Sequence, residues 1–377
     1  MFPGLRGKGL RGAVLVAGLL AMACSGPLRL SAAKPETQHR MYVAVPGIRN
    51  ELQWGGVGIL VYDMDHGHRL LKRIPTLEVK PGQEAEAVKG VCASAKTGRL
   101  YMSTPKRLIC LDLNTEQVLW NRTYEGGCDR MAISPDGALL YVPTLEGPAW
   151  HVVDGKTGDP VATVQPNSGA HNTIYGLNGR SAYLAGLKSP LLSVADTKTH
   201  KVVKTVGPFS NVVRPFTVNG RQTLCFVNVN ERLGFEVGDL MTGKVVCKVD
   251  VTGVEKGPVE RHGCPSHGIG LTPDEKELWL SDGFNKRIHV FDATVMPPTE
   301  ITSIPLRQQP GWVTFGLDGQ FAYPSTGEVI SVKTRQVLTT LADEAGKLVQ
   351  SEKMVEIDFS NGKPLRNGDQ FGLGRKR

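Results

Sequence analysis

A unit of about forty residues recurs along the chain, and each copy carries a strand–turn–strand pattern. The two clearest copies are 132–142 and 270–280, each with two short apolar strands around a tight turn led by aspartate. Weaker copies turn at Gly98, Gly179, Gly220, Gly319 and Gly362. Successive turns are 39 to 44 residues apart, with one step of 55 between the fifth and sixth copies. Seven copies at this period predict an all-β fold, a seven-bladed β-propeller of four-stranded antiparallel blades.

The first blade lacks an innermost strand at the N-terminal end of the chain. Residues 41–45 match the second strand of the repeat with no first strand before them, and residues 353–359 match the missing strand. We therefore predict that 353–359 pairs with 41–45, so that the C-terminal strand closes the ring and leaves no open sheet edge. The sixth copy shows a complete blade, with strands predicted at 267–271, 277–281, 287–292 and 300–305.

Aspartate recurs at a second position of the repeat, the end of the third strand. The six residues are Asp63, Asp112, Asp154, Asp196, Asp239 and Asp292, and the seventh copy has Lys333 there. An aspartate at this position accepts hydrogen bonds from backbone N–H groups two or three residues further on. We interpret all six as turn residues and not as catalytic groups.

With these repeats, residues 40–363 resemble the YVTN-type seven-bladed propeller repeat proteins of bacterial envelopes. The chain is more distantly similar to lactonase-type propellers and to the propeller subunit of quinoprotein amine dehydrogenases. The resemblance implies the fold and leaves the activity open, because propellers host unrelated activities. The lactonase-type likeness also implies carboxylate and amide oxygens around a divalent ion, a pattern that Asp129, Asn172 and Asn211 match loosely.

The N-terminus has the pattern of a secretory signal. Arg6, Lys8 and Arg11 precede the apolar run 12–23, which is too short to span a membrane. Cleavage fits after residue 23 or after residue 33, and the first would leave Cys24 free to carry a lipid that anchors the protein to a membrane. We expect a signal peptide at 1–33, the propeller at 34–363 and a basic, glycine-rich tail at 364–377. The protein is then exported, to the periplasm or the cell exterior.

The formal net charge of +8 is concentrated at the two ends of the chain. Residues 1–33 contain four basic residues and no acid, and residues 364–377 contain four basic residues and one acid, which leaves +1 for the body. A nearly neutral body lacks the broad positive surface that nucleic acids require, so we do not expect a nucleic-acid partner. We expect a monomer, with the tail as a frayed terminus.

Six cysteines follow Cys24, and their positions argue against disulfides within a blade. They are Cys92, Cys110, Cys128, Cys225, Cys247 and Cys264. Cys92 and Cys110 fall on strands of one blade with another strand between them, and Cys225 and Cys247 do the same in another blade, which is beyond disulfide reach. Cys128 and Cys264 both precede an innermost strand, and a bridge between them stays open. No Cys-x-x-Cys occurs, so covalent haem and the usual structural zinc patterns are absent.

Polar side chains converge where the innermost strands begin, eight residues before each turn. The candidate ligand-binding residues are Asp129, Arg130, His171, Asn172, Arg214, His267 and Trp312. Among them, Asp129, His171 and His267 have side chains that bind divalent metal ions, so they are the candidate metal ligands. The alternative is that the histidines only bridge neighbouring blades and that Trp54 and Trp312 cover the core.

Two long insertions lie at the same mouth of the channel. Residues 46–56 include Arg49, Glu51 and Trp54, and residues 252–266 include Arg261 and His262. Loops longer than a turn requires are where function usually lies.

The sequence leaves three functions open. The first is an exported scaffold without chemistry of its own, which binds a small-molecule ligand or a protein partner at the channel mouth. The second is a metal-assisted hydrolase or lactonase-like enzyme with a central-channel site and a divalent metal ion as its cofactor. The third is a single-stranded nucleic-acid binder that uses Arg130, Arg214, Trp312 and the tail. No Gly-x-Ser-x-Gly, His-Glu-x-x-His, phosphate loop or dinucleotide fingerprint is present.

Overall fold

The computed structural model describes Met1 and residues 37–376. Apart from Met1, the predicted signal peptide lies outside the described residues, and so do both cleavage points and Cys24. Within the described part of the chain, no helix has the length and apolar character needed to cross a membrane.

The described residues form 29 strands and one 3₁₀ helix, Leu52–Trp54. In the first half of the chain the strands are β1 (Thr37–Val45), β2 (Gly58–Asp63), β3 (Arg69–Ile74), β4 (Gly90–Ser94), β5 (Arg99–Ser103), β6 (Leu108–Asp112), β7 (Val118–Arg122), β8 (Ala132–Ile133), β9 (Leu139–Pro143), β10 (Trp150–Asp154), β11 (Pro160–Val164), β12 (Ala170–Tyr175), β13 (Ser181–Gly186), β14 (Leu192–Asp196) and β15 (Lys201–Val206). In the second half they are β16 (Val213–Val218), β17 (Leu224–Val229), β18 (Gly234–Asp239), β19 (Val245–Asp250), β20 (Ile269–Leu271), β21 (Glu277–Asp282), β22 (Arg287–Asp292), β23 (Thr299–Pro305), β24 (Val313–Phe315), β25 (Phe321–Pro324), β26 (Glu328–Ser331), β27 (Val337–Thr340), β28 (Met354–Ser360) and β29 (Lys363–Asn367).

The strands form seven antiparallel sheets, which are the seven blades of the predicted propeller. Six blades contain four consecutive strands each, from β4–β7 to β24–β27, and the inner strands contact one another in succession from β28 through β4, β8, β12, β16 and β20 to β24. Burial follows the position in the blade: β4 is wholly buried, whereas β7 is mostly exposed. The core therefore lies between the blades, on the faces of the inner three strands.

The first blade is closed by the C-terminal strand, as predicted. β28 pairs antiparallel with β1, with Met41 opposite Glu356, Tyr42 opposite Val355 and Val43 opposite Met354. Tyr42 and Val355 belong to one buried apolar cluster that also includes residues of the second blade. The two ends of the chain thus share one hydrophobic core.

The strand bounds of the sixth blade agree with the prediction to within one residue except at its innermost strand. Residues 267–271 were expected there, and β20 begins two residues later, at Ile269. The reason is that side chains bind the backbone before it: Asn228 Nδ2 donates to the carbonyl of His267, and the N–H of Gly268 donates to Ser281 Oγ. These groups are therefore not available for ladder pairing.

The recurrent aspartates at the ends of the third strands act as turn residues. Asp112 Oδ1 accepts hydrogen bonds of 2.8 Å from the backbone N–H groups of Asn114 and Thr115. Asp154 Oδ1 does the same for Lys156 and Thr157. The architectural interpretation is confirmed.

The six described cysteines are all free, which also leaves Cys128 and Cys264 unpaired. The register explains Cys92 and Cys110, because Tyr101 lies opposite both of them on the strand between. Burial raises the pKa of the Cys110 thiol to about 12, so the thiolate is disfavoured.

A chain that begins at residue 34 is expected to give six thiols when titrated under denaturing, non-reducing conditions, because no described cysteine is bridged. The same titration on the native protein should find few reactive thiols, since five of the six are buried. Mass spectrometry that detects a Cys92–Cys110 or Cys225–Cys247 disulfide would contradict the strand register.

The tail is ordered, and the expectation of a frayed terminus is wrong. β29 pairs with β28 on the channel side, so the first blade has five strands. The chain then crosses the channel: Gln370 Nε2 donates to the carbonyl of Met131, and the N–H of Leu271 donates to the carbonyl of Gly372. Phe371 is 2% exposed and Leu373 is 5% exposed. The tail is ordered because the side chains of Phe371 and Leu373 are buried inside the ring, where its glycines allow close approach.

Gly372 shows why the tail needs glycine. Its φ is +59°, and an added Cβ would lie 3.0 Å from the Cα of Gly270 on β20. A larger residue would push the tail away from the innermost strand. The tail therefore fills the channel next to the innermost strands.

Two acidic residues on β28 are buried behind the tail. Glu356 is 2% exposed and Asp358 is fully buried. Glu356 Oε2 accepts a hydrogen bond of 2.6 Å from the N–H of Leu317, whereas its Oε1 has no partner. Burial raises the pKa of the Glu356 carboxyl, and the negative charge of the neighbouring Asp358 raises it further.

Because its folded-state pKa is raised, Glu356 takes up a proton on folding at neutral pH, and its contribution to stability falls as the pH rises above about 4.5. Glu356→Gln keeps an acceptor for Leu317 and removes the charge. We expect the free energy of unfolding of the variant to exceed that of the wild type by about 1–3 kcal/mol at pH 8 and to be almost the same as that of the wild type at pH 4. Urea unfolding at several pH values measures both. An equal gain from Glu344→Gln, whose side chain is 50% exposed, would contradict this account.

Candidate binding site at the channel mouth

The two long loops meet over the mouth of the channel, the end at which the innermost strands begin. Arg49 Nη2 donates a hydrogen bond of 2.8 Å to the carbonyl of Arg261, and Arg261 Nη2 lies 4.0 Å from Glu51 Oε2. The next residue, His262, points into the ring and reaches Glu352, just before β28. The loops are therefore joined to the channel lining and to each other.

A buried ion-pair network lies under these loops, and we name it the Glu352 cluster: Arg130, His262, His267, Glu352 and Lys353. Arg130 Nη2 donates to Glu352 Oε2 at 2.9 Å, and Lys353 Nζ donates to the same oxygen at 2.8 Å. Lys353 Nζ also donates to the carbonyl of Gly47 at 2.9 Å, which joins the cluster to the first long loop. The second carboxylate oxygen, Glu352 Oε1, is buried and has no hydrogen-bond partner.

Two histidines face this free oxygen. His262 Nδ1 lies 3.1 Å from Glu352 Oε1, and the rings of His262 and His267 stack with centroids 4.9 Å apart. His267 Nδ1 is 2.8 Å from the carbonyl of Gly311 and donates to it, because that oxygen can only accept. His262 Nε2 is buried without a partner. A Cβ on Gly311 would collide with the His262 ring and the Glu352 carboxylate, so the cluster requires glycine there.

The charges of the cluster follow from burial and from the ion pairs. Burial lowers the pKa of His262 to about 4 and lowers the pKa of His267 well below its usual range, so both rings are neutral at neutral pH. Burial alone would raise the pKa of Glu352, but the charges of Lys353 and Arg130 hold it well below its usual range. Burial lowers the pKa of Lys353 to about 8 against the opposing attraction of Glu352.

Asp129 and His171 form a separate pair at the same mouth. His171 Nδ1 lies 2.6 Å from Asp129 Oδ2, and Lys89 Nζ is 3.9 Å from the other oxygen. Burial opposes ionisation of Asp129, yet His171, Lys89 and Arg130 keep its pKa below the usual range. Beside them, Asn172 is fully buried and neither amide atom has a partner.

The structure places the remaining predicted residues as supports. Trp312 is 2% exposed, lies under the Arg130 guanidinium at 3.6 Å from the ring centroid, and donates through Nε1 to the carbonyl of Gln370 in the tail. It therefore covers the core and presents no free face to a ligand. Arg214 Nη2 donates at 3.0 Å to the carbonyl of Gly263, which fixes the second long loop.

The predicted metal ligands are divided between the two groups: Asp129 pairs with His171, and His267 belongs to the Glu352 cluster. Among the described residues, one trio of possible metal ligands has all its ligand atoms within 4.8 Å of one another, and it is His262, His267 and Glu352. The sequence reasoning missed Glu352, which lies two residues before the position taken as the strand start. Its signal was the adjacent charged pair Glu352-Lys353 at the entrance to an apolar innermost strand.

Two of the concave regions around the ring bear on ligand binding. The loop cleft lies at the mouth and has a volume of about 510 Å³; its lining residues are Arg49, Glu260, Arg261, Gly283, Phe284, Lys286, Gln308 and Gln309. The tail cavity, of about 890 Å³, lies at the opposite face between the tail and the innermost strands. Two of its basic residues, Arg366 and Arg375, are already paired with Asp358 and Asp369.

Positive charge predominates in the lining of the loop cleft. Three cations, Arg49, Arg261 and Lys286, line it with one anion, Glu260. Arg261 Nη1 is buried and has no hydrogen-bond partner. The cleft therefore offers a positive potential and an unused donor at one place.

Comparison with known proteins identifies the fold and no family. No protein-family model matches the chain, and a search of characterised proteins finds no relative. Among solved structures, the chain is similar to one titled dihydro-heme d1 dehydrogenase NirN in complex with DHE, with a TM-score of 0.60, 14% identity, and coverage of 87% of this chain and 72% of that chain.

It is also similar to a chain of a mitotic checkpoint complex, with a TM-score of 0.59, 16% identity, and coverage of 84% and 96%. A chain of Kuenenia stuttgartiensis hydrazine synthase matches at a TM-score of 0.45 with 15% identity, covering 70% of this chain and 99% of that chain. At these identities the likeness extends to the propeller fold alone.

Proposed function

We propose that the protein is an exported, YVTN-type propeller that binds a small anionic molecule, with carboxylate or phosphate groups, in the loop cleft at the channel mouth. The observation that carries the proposal is the Nη1 atom of Arg261, which is buried without a hydrogen-bond partner. The cleft around it is lined by three cations, Arg261 included, and by one anion. A buried guanidinium donor without a partner costs stability unless a ligand or water accepts from it. An anionic oxygen is the acceptor that guanidinium binds most strongly.

A small ligand suits this cleft better than a macromolecule. The cleft is recessed between the second long loop, Arg49 of the first long loop and the loops that carry Gly283 and Gln308, and its volume of about 510 Å³ lies within the range of small-molecule sites. Arg49 and Arg261 belong to loops that are held together by their own hydrogen bond. The donors are thus positioned before a ligand arrives, which lowers the entropy cost of binding.

The buried residues below the cleft support it. The Glu352 cluster anchors His262, and Arg214 anchors Gly263, so both positions that follow Arg261 are fixed to the ring. The predicted ligand-binding residues of the channel lining, Asp129, Arg130, His171 and Asn172 among them, then act as the floor. A direct contact from any of them to the ligand remains a prediction.

The proposal is tested by titrating chelator-treated protein with inorganic phosphate and with succinate at low ionic strength, by calorimetry. We expect saturable binding of at least one probe, weakened about tenfold or more in Arg261→Gln. Raising the salt concentration should also weaken it, because exposed charges are screened.

Lys276→Gln is the matched control, since it removes one exposed positive charge in a turn at the opposite face, where Lys276 is 69% exposed. Its affinity should equal that of the wild type. Absence of binding for both probes, or equal weakening by the Arg261 and Lys276 variants, would contradict the proposal.

A further inference from the structure

Three side chains that bind metal ions meet in the Glu352 cluster. His262, His267 and Glu352 each offer a ligand atom within 4.8 Å of the others, and they come from a long loop, the start of the sixth blade and the closing segment before β28. Two atoms bound to a tetrahedral zinc ion at about 2.0–2.1 Å are about 3.3 Å apart. The 3.1 Å between His262 Nδ1 and Glu352 Oε1 is close to that separation. We propose that this trio is a binding site for a divalent transition-metal ion, with Zn²⁺ as the best fit.

The hydrogen bonds around the trio orient it as ligands in metal sites are oriented. His267 donates through Nδ1 to the carbonyl of Gly311, which leaves Nε2 as the lone-pair nitrogen. Glu352 uses Oε2 for Arg130 and Lys353 and keeps Oε1 free. In metal sites the ligating carboxylate is itself hydrogen-bonded in this way.

Two atoms of the trio lack partners, and this points independently to a bound species. Glu352 Oε1 and His262 Nε2 are both buried and without hydrogen bonds. Glu352 is 6% exposed, so bulk water does not reach it freely. When neutral His262 carries its proton on Nε2, its Nδ1 is an acceptor that faces the acceptor Glu352 Oε1 at 3.1 Å, and two facing acceptors are satisfied together by a cation.

The charges in the cluster decide what else the ion needs. Arg130 and Lys353 already balance Glu352, so a divalent ion adds positive charge to a region that has no surplus of anions. Three protein ligands leave the fourth position of a tetrahedral ion open. An anionic group at that position offsets the charge, and Arg261 in the loop cleft is the residue next to His262.

The ion and the anion are therefore expected to bind cooperatively, each raising the affinity for the other by the same factor. This cooperativity rests on the proposed function, whereas the binding of the ion alone does not.

The test uses the full chain after treatment with a chelator and dialysis, titrated with Zn²⁺ alone by calorimetry, and with Co²⁺ to record the visible spectrum. We expect one ion per chain and a Co²⁺ spectrum of tetrahedral type. His262→Gln and His267→Gln should each weaken Zn²⁺ binding at least about tenfold. His66→Gln is the control, because His66 pairs with Asp63 and its side chain is 66% exposed; its affinity should not change.

His262→Gln keeps the test decisive if His267→Gln does not fold, since His262 lies in a long loop, whereas His267 Nδ1 donates to the carbonyl of Gly311 in the next blade. Fewer than one ion per chain, or equal affinity in the wild type and His262→Gln, would overturn the metal site. If zinc does not bind while phosphate or succinate does, the metal site is refuted and the proposed function stands. If zinc binds and neither anion does, the proposed function is refuted and the metal site stands.

Discussion

A chain that ends at Glu352 is expected to lose cooperative unfolding, because it lacks the strand that closes the ring. The truncation removes β28 and exposes the edge of β1 along the paired segment from Thr37 to Val43. It also removes Val355 and Ile357 from the buried cluster shared by the first and second blades. An open edge of this length favours aggregation. Circular dichroism melting and size-exclusion chromatography should show a broad transition and soluble aggregates.

A chain that ends at Asn367 is the matched control, because it keeps β28 and β29 and loses only the part of the tail that crosses the channel. It should melt cooperatively at a lower temperature, since it lacks the buried Phe371 and Leu373. If the chain that ends at Glu352 melts as sharply and at the same temperature as the full chain, closure by β28 is wrong.

Glu352→Ala is expected to lower the free energy of unfolding by about 3–5 kcal/mol, because it leaves two buried cations without their anion. Arg130 is 4% exposed and Lys353 is 5% exposed, and both donate to Glu352 Oε2. Urea unfolding at pH 7 measures the loss.

Glu344→Ala is the comparison variant. Glu344 pairs with Arg73 at 2.7 Å, close to the 2.9 and 2.8 Å of the two Glu352 ion pairs, but the Glu344 side chain is 50% exposed. Exposed pairs contribute about 1 kcal/mol or less, so its loss should be small. Equal losses in the two variants would mean that the Glu352 cluster is not the buried network described above.

The fold was predictable because its determinants repeat. Each blade presents the same apolar strands and turn residues, so a weak copy such as the one at Gly220 is placed by its neighbours. Closure was predictable for the same reason, since the repeat identifies which strand is missing. The error at the start of β20 arose where side chains of Asn228 and Ser281 replace the ladder, an effect that a strand pattern does not encode.

The candidate site was only partly predictable, because it is built from segments outside the repeat. The position of His262 depends on the path of the long loop 252–266, which has no counterpart in the other copies. Counting eight residues back from each turn placed the start of this innermost strand after Glu352, so the count did not include that residue. The tail was misjudged because its composition is basic and glycine-rich, whereas its fate depends on the fit of Phe371 inside the ring.

The buried position of Trp312 bears on the nucleic-acid alternative. Stacking of an unpaired base requires an exposed aromatic face, and Trp312 is covered by Arg130 and bonded to the tail.

The hydrolase alternative depends on the metal site, because a metal-bound water is the nucleophile that such an enzyme needs. Zinc binding at His262 and Glu352 would make that alternative worth testing with ester and lactone substrates.

Hydrogen–deuterium exchange with a saturating concentration of phosphate or succinate, whichever anion binds, locates the bound anion on one face of the ring. We expect slower exchange in residues 46–56 and 252–266, the two loops that hold Arg49 and Arg261. Residues 94–96 and 220–222, which line the larger tail cavity at the opposite face, should exchange as in the free protein. Protection confined to those tail-cavity segments, with the two loops unchanged, would contradict a binding site at the channel mouth.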